Sequence, residues 1–172
     1  MKGFNLYKYL PDYISNSIFE IDYKKLKDLG IKGLCLDIDN TIIGMYQSEM
    51  KEKIFSWVSN LKDMGFSLCI LSNASKKRTT SIGEQLGIDF VYLAFKPLSR
   101  GFKKALKKMN LPSNKCAMIG DQLFTDVKGG RKMGLLTILT KPINKEEDLF
   151  VKFKRLFERP ILQKYEKDLK VI

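Results

Sequence analysis

The chain alternates between two hydrophobic periods. Short apolar runs at residues 34–36, 66–71, 90–95, 116–119 and 135–139 have the length and continuity of strands buried on both faces. Between them, apolar residues recur at helical spacing. Residues 49–64 place Ile54, Phe55, Val58 and Leu61 on one face, with Ser48 as the expected N-cap and Gly65 as the stop. Residues 76–86 read as a helix ended by Gly87, residues 100–109 as one stopped before Pro112, and residues 126–133 as another. A short helix over residues 23–30, ended by Gly30, precedes the first strand, and residues 44–47 read as a turn or flap after it.

Strand and helix in strict alternation predict an α/β fold of three layers: a Rossmann-like central parallel sheet with helices on both faces and right-handed crossovers. No repeat, low-complexity segment or linker interrupts the pattern, so residues 1–172 are expected to form one domain. The last part differs. Over about residues 146–159, Leu149, Phe150, Phe153, Leu156 and Phe157 share one helical face, and Lys152, Lys154, Arg155 and Arg159 occupy the others. Pro160 is the expected end. Such an amphipathic helix either packs on its own domain or lies on a membrane surface.

Composition changes this picture in three ways. The net charge of +12 favours acidic partners: a phosphorylated substrate, an anionic lipid or a nucleic acid. Histidine is absent, so acid–base work falls to Asp, Glu, Lys, Tyr or Cys. Cys35, Cys69 and Cys116 are widely spaced and sit in apolar runs, which argues against disulfides or zinc and for small buried residues in a reducing cytosol. No charged start leads into an apolar core at the N-terminus, and the longest apolar-rich run, residues 133–140, is too short to span a bilayer. A cytoplasmic protein, at most peripherally attached to a membrane, is expected.

The ends of the expected strands carry the chemistry. The first ends in Asp37 and Asp39, the second in Ser72 and Asn73, the third in Lys96, and the fourth in Asp121 followed by Asp126. In open parallel sheets ligands bind beyond the carboxyl ends of the strands. Two carboxylates one residue apart also suit a turn and a helix cap, but the full set suits phosphate chemistry. Asp37 is placed to attack phosphorus, and Asp39 to protonate the leaving oxygen and later activate water. Magnesium, which prefers hard oxygen ligands, is the expected cofactor, with Asp37, Asp121 and the Asp39 carbonyl as ligands and Asp126 as ligand or support. Ser72 is positioned to hold phosphoryl oxygens and Lys96 to neutralise developing charge.

The sequences DIDNT (residues 37–41), Ser72-Asn73, Lys96-Pro97 and GDQLFTD (residues 120–126) resemble the four motifs of the haloacid dehalogenase (HAD) superfamily. In detail they resemble the YqeG-like branch of HAD subclass IIIA, which includes phosphatidylglycerophosphatases. The resemblance spans about residues 10–160. It implies magnesium-dependent hydrolysis of a phosphomonoester through an aspartyl-phosphate. By motif position the catalytic residues are Asp37, Asp39 and Lys96. Thr41, Ser72, Asn73 and Lys96 serve the substrate, and Asp37, Asp39, Asp121 and Asp126 serve the metal. Asn40 is a trait of the branch, with turn formation as its plain reading.

Spacing bears on the substrate. Only 32 positions separate Asp39 from Ser72 and 22 separate Asn73 from Lys96, which leaves no room for a large cap domain. An open site suits a phosphate carried on something large. Residues 100–115 add six basic side chains and no acidic one, close behind Lys96, and Lys76-Lys77-Arg78 follow Ser72-Asn73. These either form solvated helix faces or attract an anionic surface. The leading expectation is a peripheral enzyme converting phosphatidylglycerophosphate to phosphatidylglycerol. A phosphatase of nucleic-acid ends or phosphoproteins, and a non-catalytic basic module binding RNA or a ribosome, are the alternatives.

Overall fold

A computed structural model describes residues 9–45, 47, 50–144 and 149–172. Among these residues six strands form one parallel sheet: β1 (Tyr13–Ser15), β2 (Gly33–Leu36), β3 (Ser67–Leu71), β4 (Asp89–Val91), β5 (Cys116–Gly120) and β6 (Leu136–Thr140). Their order is β1-β6-β5-β2-β3-β4. The chain builds outward from β2 through β3 to β4, then returns to place β5 on the other side of β2. That reversal lies between β2 and β5, where open α/β sheets bind ligands.

Alternation along β2 divides the core. Leu34 and Leu36 point into a cluster with Tyr23 and Leu26 of α1 (Tyr23–Asp28), Ile54, Trp57, Val58 and Leu61 of α2 (Glu52–Asp63), and Ile82 and Leu86 of α3 (Lys76–Leu86). Cys35 points the other way, among Cys69, Cys116, Met118 and the Phe102, Ala105 and Met109 side chains of α4 (Ser99–Met109). The three cysteines are therefore buried, free thiols, and burial raises the pKa of each. Helices thus cover both faces, as the run lengths predicted. Among the described residues, the intervals on either side of β3 hold only α2, α3 and short connections, with no cap domain.

Several elements differ from the sequence reading, each for a tertiary reason. A sixth strand exists because Tyr13–Ser15 pairs with Ile138–Thr140, fastened by Asp12, whose carboxylate accepts hydrogen bonds from the Thr137 amide and hydroxyl, both at 2.8 Å. Three residues carry too little pattern to reveal that pairing. Strand β4 stops at Val91 instead of residue 95, because Leu93 (φ 43°) and Phe95 (φ 52°) turn the chain out of the sheet. The segment after β5 is first a π-helical turn, Leu123–Val127, and only then the helix α5 (Lys128–Met133). Helix α2 starts at Glu52 after an extended Lys51; Ser48, its expected cap, and Glu49 lie outside the described residues.

Pro160 does not end the C-terminal helix. Helix α6 runs Leu149–Lys164 through it. Proline removes one backbone donor, but the carbonyl it leaves without a helical partner belongs to Leu156, on the exposed face and open to solvent, while buried Val151, Glu158 and Ile161 hold the helix on both sides. The side chains of Leu149 and Phe150 lie outside the described residues.

Candidate active site

The site forms where β2, β3, the β4 loop and β5 end. The Asp37 amide still belongs to the sheet, donating to the Ile119 carbonyl at 3.0 Å, and the next residues coil tightly. The amides of Thr41, Ile42 and Ile43 all turn onto the Ile38 carbonyl. Asn40 makes the coil possible. It takes the left-handed conformation (φ 63°), which asparagine tolerates better than most residues. Its buried side-chain oxygen accepts from the Met45 and Asn144 amides, both at 3.3 Å, and its carbonyl accepts from Ile143 at 3.0 Å. Asn40 therefore ties the turn after β2 to the loop after β6.

Asn73 organises the loop that carries Lys96. Its Oδ1 accepts from the Lys96 amide at 2.7 Å and its Nδ2 donates to the Lys96 carbonyl at 3.2 Å. With the Ala94 amide on the Ser72 carbonyl, this clamp fixes the left-handed loop and aims Lys96 inward. Ser72 is buried, and its hydroxyl oxygen accepts from the Ala74 amide at 3.1 Å. Its own proton is left for a ligand or carbonyl.

Lys96 sits between two carboxylates. Its Nζ lies 2.6 Å from Asp37 Oδ1 and 2.7 Å from Asp126 Oδ1, with all three residues buried. Burial alone pulls the ammonium pKa down, but Asp126 and Asp37 more than offset it, so Lys96 is held protonated. Asp126 reaches the site from the π-helical turn, its Oδ2 accepting from the Gln122 amide at 3.1 Å. This needs Gly120, where a Cβ would stand 2.4 Å from the Asp126 carboxyl group. Gly120→Ala is therefore expected to push Asp126 off Lys96 and reduce kcat/KM roughly 100-fold, with near-native circular dichroism separating this from unfolding.

Carboxylate oxygens of Asp37, Asp121 and Asp126 lie within 4.8 Å of one another, all three side chains buried. Thr41 Oγ1 donates to Asp121 Oδ1 at 3.4 Å, so Thr41 serves this cluster. Burial pushes Asp37 up to about 7 against the pull of Lys96. Burial, with Asp37 beside it, raises Asp121 well above the carboxylate range despite Arg155. Burial is the larger cause for both, and charge adds to it: with all three carboxylates ionised, Lys96 and Arg155 leave negative charge uncompensated. A divalent cation with a preference for hard oxygens fits that deficit.

Two residues of this site were read in the sequence only as surface charge. Arg155 of α6 binds both the side chain and the backbone carbonyl of Asp121. Glu158 holds it at 2.9 Å and accepts from the Phe124 amide at 3.1 Å. Arg78 of α3 grips Asp39 Oδ1 through Nε (3.0 Å) and Nη2 (2.7 Å) and donates through Nη1 to the Gln47 carbonyl at 2.8 Å. Paired in this way, the Asp39 carboxylate stands apart from the Asp37–Asp121–Asp126 cluster. The basic run at Lys76-Lys77-Arg78 and the alternation of faces on α6 were visible, but only the folded contacts select Arg78 and Arg155.

Comparison with known proteins agrees with this architecture. A family model described as haloacid dehalogenase-like hydrolase matches residues 44–134, a span that includes Ser72, Lys96, Asp121 and Asp126. The chain is 37% identical over 154 residues to the probable phosphatase YqeG of Bacillus subtilis, covering 90% of each. It is 26% identical over 151 residues to the chloroplastic/mitochondrial phosphatidylglycerophosphate phosphatase 1 of Arabidopsis thaliana, covering 83% of this chain and 43% of that one. In fold it is similar to the cobalt-bound deoxy-D-mannose-octulosonate 8-phosphate phosphatase of Haemophilus influenzae, with a TM-score of 0.54 and 17% identity over 81% of this chain and 90% of the other. This chain belongs to the haloacid dehalogenase-like hydrolase family, as an HAD-type phosphatase related to YqeG.

Proposed function

We propose that this phosphatase is a magnesium-dependent phosphomonoester hydrolase acting through an aspartyl-phosphate on Asp37, with phosphatidylglycerophosphate as substrate. The observation that carries the chemistry is Lys96 bridging Asp37 and Asp126 beside a third buried carboxylate at the topological switch of the sheet. In the first step an Asp37 oxygen attacks phosphorus while the ester oxygen leaves with a proton from Asp39. In the second, Asp39 takes a proton from water, whose oxygen attacks phosphorus and releases phosphate and the Asp37 carboxylate. Lys96 favours the ionised form of the Asp37 nucleophile and offsets charge on the phosphoryl oxygens, with the Ser72 hydroxyl as a donor. Magnesium held by Asp37, Asp121 and Asp126, with the Asp39 carbonyl, would add positive charge at the phosphoryl group.

Asp121→Ala removes one of the three carboxylates and the anchor of Arg155. It is expected to raise the magnesium concentration needed for half-maximal rate by roughly 10–100-fold. Excess EDTA should silence the native enzyme, and magnesium should restore it. Activity unchanged by EDTA would overturn the metal role.

Three features support the lipid substrate: the likeness to the plant phosphatidylglycerophosphate phosphatase, the absence of a cap domain among the described residues, and the net charge of +12. No helix among the described residues is long and apolar enough to cross a membrane, so contact with lipid is proposed to be peripheral. The test is phosphate release with magnesium from phosphatidylglycerophosphate in mixed micelles and from p-nitrophenyl phosphate. Strong preference for the lipid is expected. Equal or better turnover of the small ester would remove the lipid assignment while keeping the chemistry.

A further inference from the structure

Exposed apolar side chains are concentrated on two segments that both reach into the site. The loop after β4 contributes Lys96 inward and presents Leu93 (45% exposed), Phe95 (61%) and Leu98 (58%) outward. Helix α6 contributes Arg155 inward and presents Phe153 (57%), Leu156 (63%) and Phe157 (55%) outward, at the i, i+3, i+4 spacing of one face. The phenylalanine rings of that face meet edge-on with centroids 5.1 Å apart. Each patch thus lies on a segment that borders the site and is anchored there by the residue it sends inward.

Positive charge accompanies them. An open groove of about 530 Å³ adjoins the loop at Tyr92 and is lined by Phe90, Val91, Lys104, Lys107 and Lys108. Exposed Lys152 and Arg159 flank the α6 patch. Apolar side chains in small separate groups, bordered by lysine and arginine, match the boundary between acyl chains and anionic headgroups. One continuous apolar surface would instead match a protein partner.

We propose that this rim, the 92–98 loop with the outer face of α6, docks on an anionic lipid bilayer and presents the site to phosphate groups at its surface. The inference rests on the lipid-phosphatase reading. Flotation with phosphatidylcholine vesicles, with and without phosphatidylserine, tests it. The native chain should bind the anionic vesicles and release them at high salt. Phe95→Asp/Leu98→Asp and Phe153→Asp/Phe157→Asp should each weaken binding roughly tenfold or more, with hydrolysis of p-nitrophenyl phosphate unchanged. Native-like vesicle binding by both variants, no vesicle binding by the native chain, or a native dimer that either variant dissociates would overturn it. Absence of vesicle binding by the native chain, with intact lipid turnover in detergent micelles, would remove the docking face alone. Vesicle binding without lipid turnover would remove the substrate alone.

The Arg78–Asp39 contact independently supports a second inference. Two guanidinium donors fall on one oxygen, Oδ1, and a third holds the Gln47 carbonyl, so Arg78 fixes the Asp39 side chain without using its other oxygen. We infer that Arg78 is a positioning residue that holds Asp39 for proton delivery to the leaving oxygen. This rests on Asp39 as the acid. A leaving group that departs without help should not need Arg78, whereas an alkoxide should. In Arg78→Met, kcat/KM is expected to fall roughly tenfold or more for an alkyl phosphate and little for p-nitrophenyl phosphate. Arg78→Lys should recover part of the loss, and Asp39→Asn should give the same pattern more strongly. Equal losses on both esters in Arg78→Met, or none, would overturn the inference. Absence of the pattern in Asp39→Asn as well would remove the acid assignment with it.

Discussion

Asp37→Asn is expected to reduce phosphate release by about four orders of magnitude or more and, in the metal-free protein at pH 8, to raise the melting temperature. The first effect follows from chemistry: an amide nitrogen or oxygen cannot serve as the anionic nucleophile that forms an acyl-phosphate. The second follows from electrostatics. The folded chain holds Asp37 at about 7, above its ordinary 3.8, because burial and neighbouring carboxylates outweigh the pull of Lys96. Between those values the folded state binds more protons than the unfolded state, so stability falls as pH rises from about 4 to about 7 and then levels. A tenfold change in proton affinity is worth about 1.4 kcal/mol, so the ionised carboxylate costs up to about 4 kcal/mol at pH 8. Asparagine removes that cost, in which the pull of Lys96 is already counted, but packs and hydrogen-bonds less well than a neutral carboxyl beside Lys96, so a gain of a few degrees is expected, at about 2–4 °C per kcal/mol for a chain of this size. Saturating magnesium should reverse the order by stabilising the native chain more than the variant. A variant less stable than the native chain at pH 8 without metal would contradict the electrostatic account, and residual turnover would contradict the chemical one.

The residues of this site were legible because a strand buried on both faces has no local use for a charge at its end. Asp37, Lys96 and Asp121 each interrupt an apolar run or follow one directly, and the fold brings all three together. What stayed hidden depends on pairing between distant segments. Arg78 and Asp39 are 39 residues apart and Arg155 and Asp121 are 34 apart, so neither pairing leaves a local period to read. The three-residue β1 is stable only against β6, and β4 is short because the loop must turn Lys96 inward. Asn40 and Asn73 illustrate a different loss. Their type was evident, but an asparagine suits turns, ligands and backbone clamps alike, and only the bonds to Met45, Asn144 and the Lys96 backbone distinguish these roles.

Lys96→Met is expected to be the most destructive substitution for stability without metal. Methionine keeps most of the volume but removes the cation between Asp37 and Asp126. Breaking a buried ion pair by deleting one partner costs about 3–5 kcal/mol, or a melting temperature lower by about 10 °C at 2–4 °C per kcal/mol. The pH dependence should change in a defined way. The native Lys96, raised by its partners, contributes stability that is lost only as pH climbs through its folded pKa, in strongly alkaline solution. Without it, Asp37 loses its main opposing charge and moves above about 7. Protonation of the cluster then offsets the damage at pH 5–6, and the variant should go on losing stability to pH 9, whereas the Asp37 contribution in the native chain levels above about pH 7. Magnesium should restore much of the lost stability, because it supplies positive charge to the same carboxylates, but not the activity, expected to stay about 1000-fold down. Thermal melts at pH 5, 7 and 9, with and without magnesium, test this directly. A variant as stable as the native chain at pH 9 without metal would mean that the three carboxylates do not share one uncompensated charge, and the case for a cation among Asp37, Asp121 and Asp126 would fall with it.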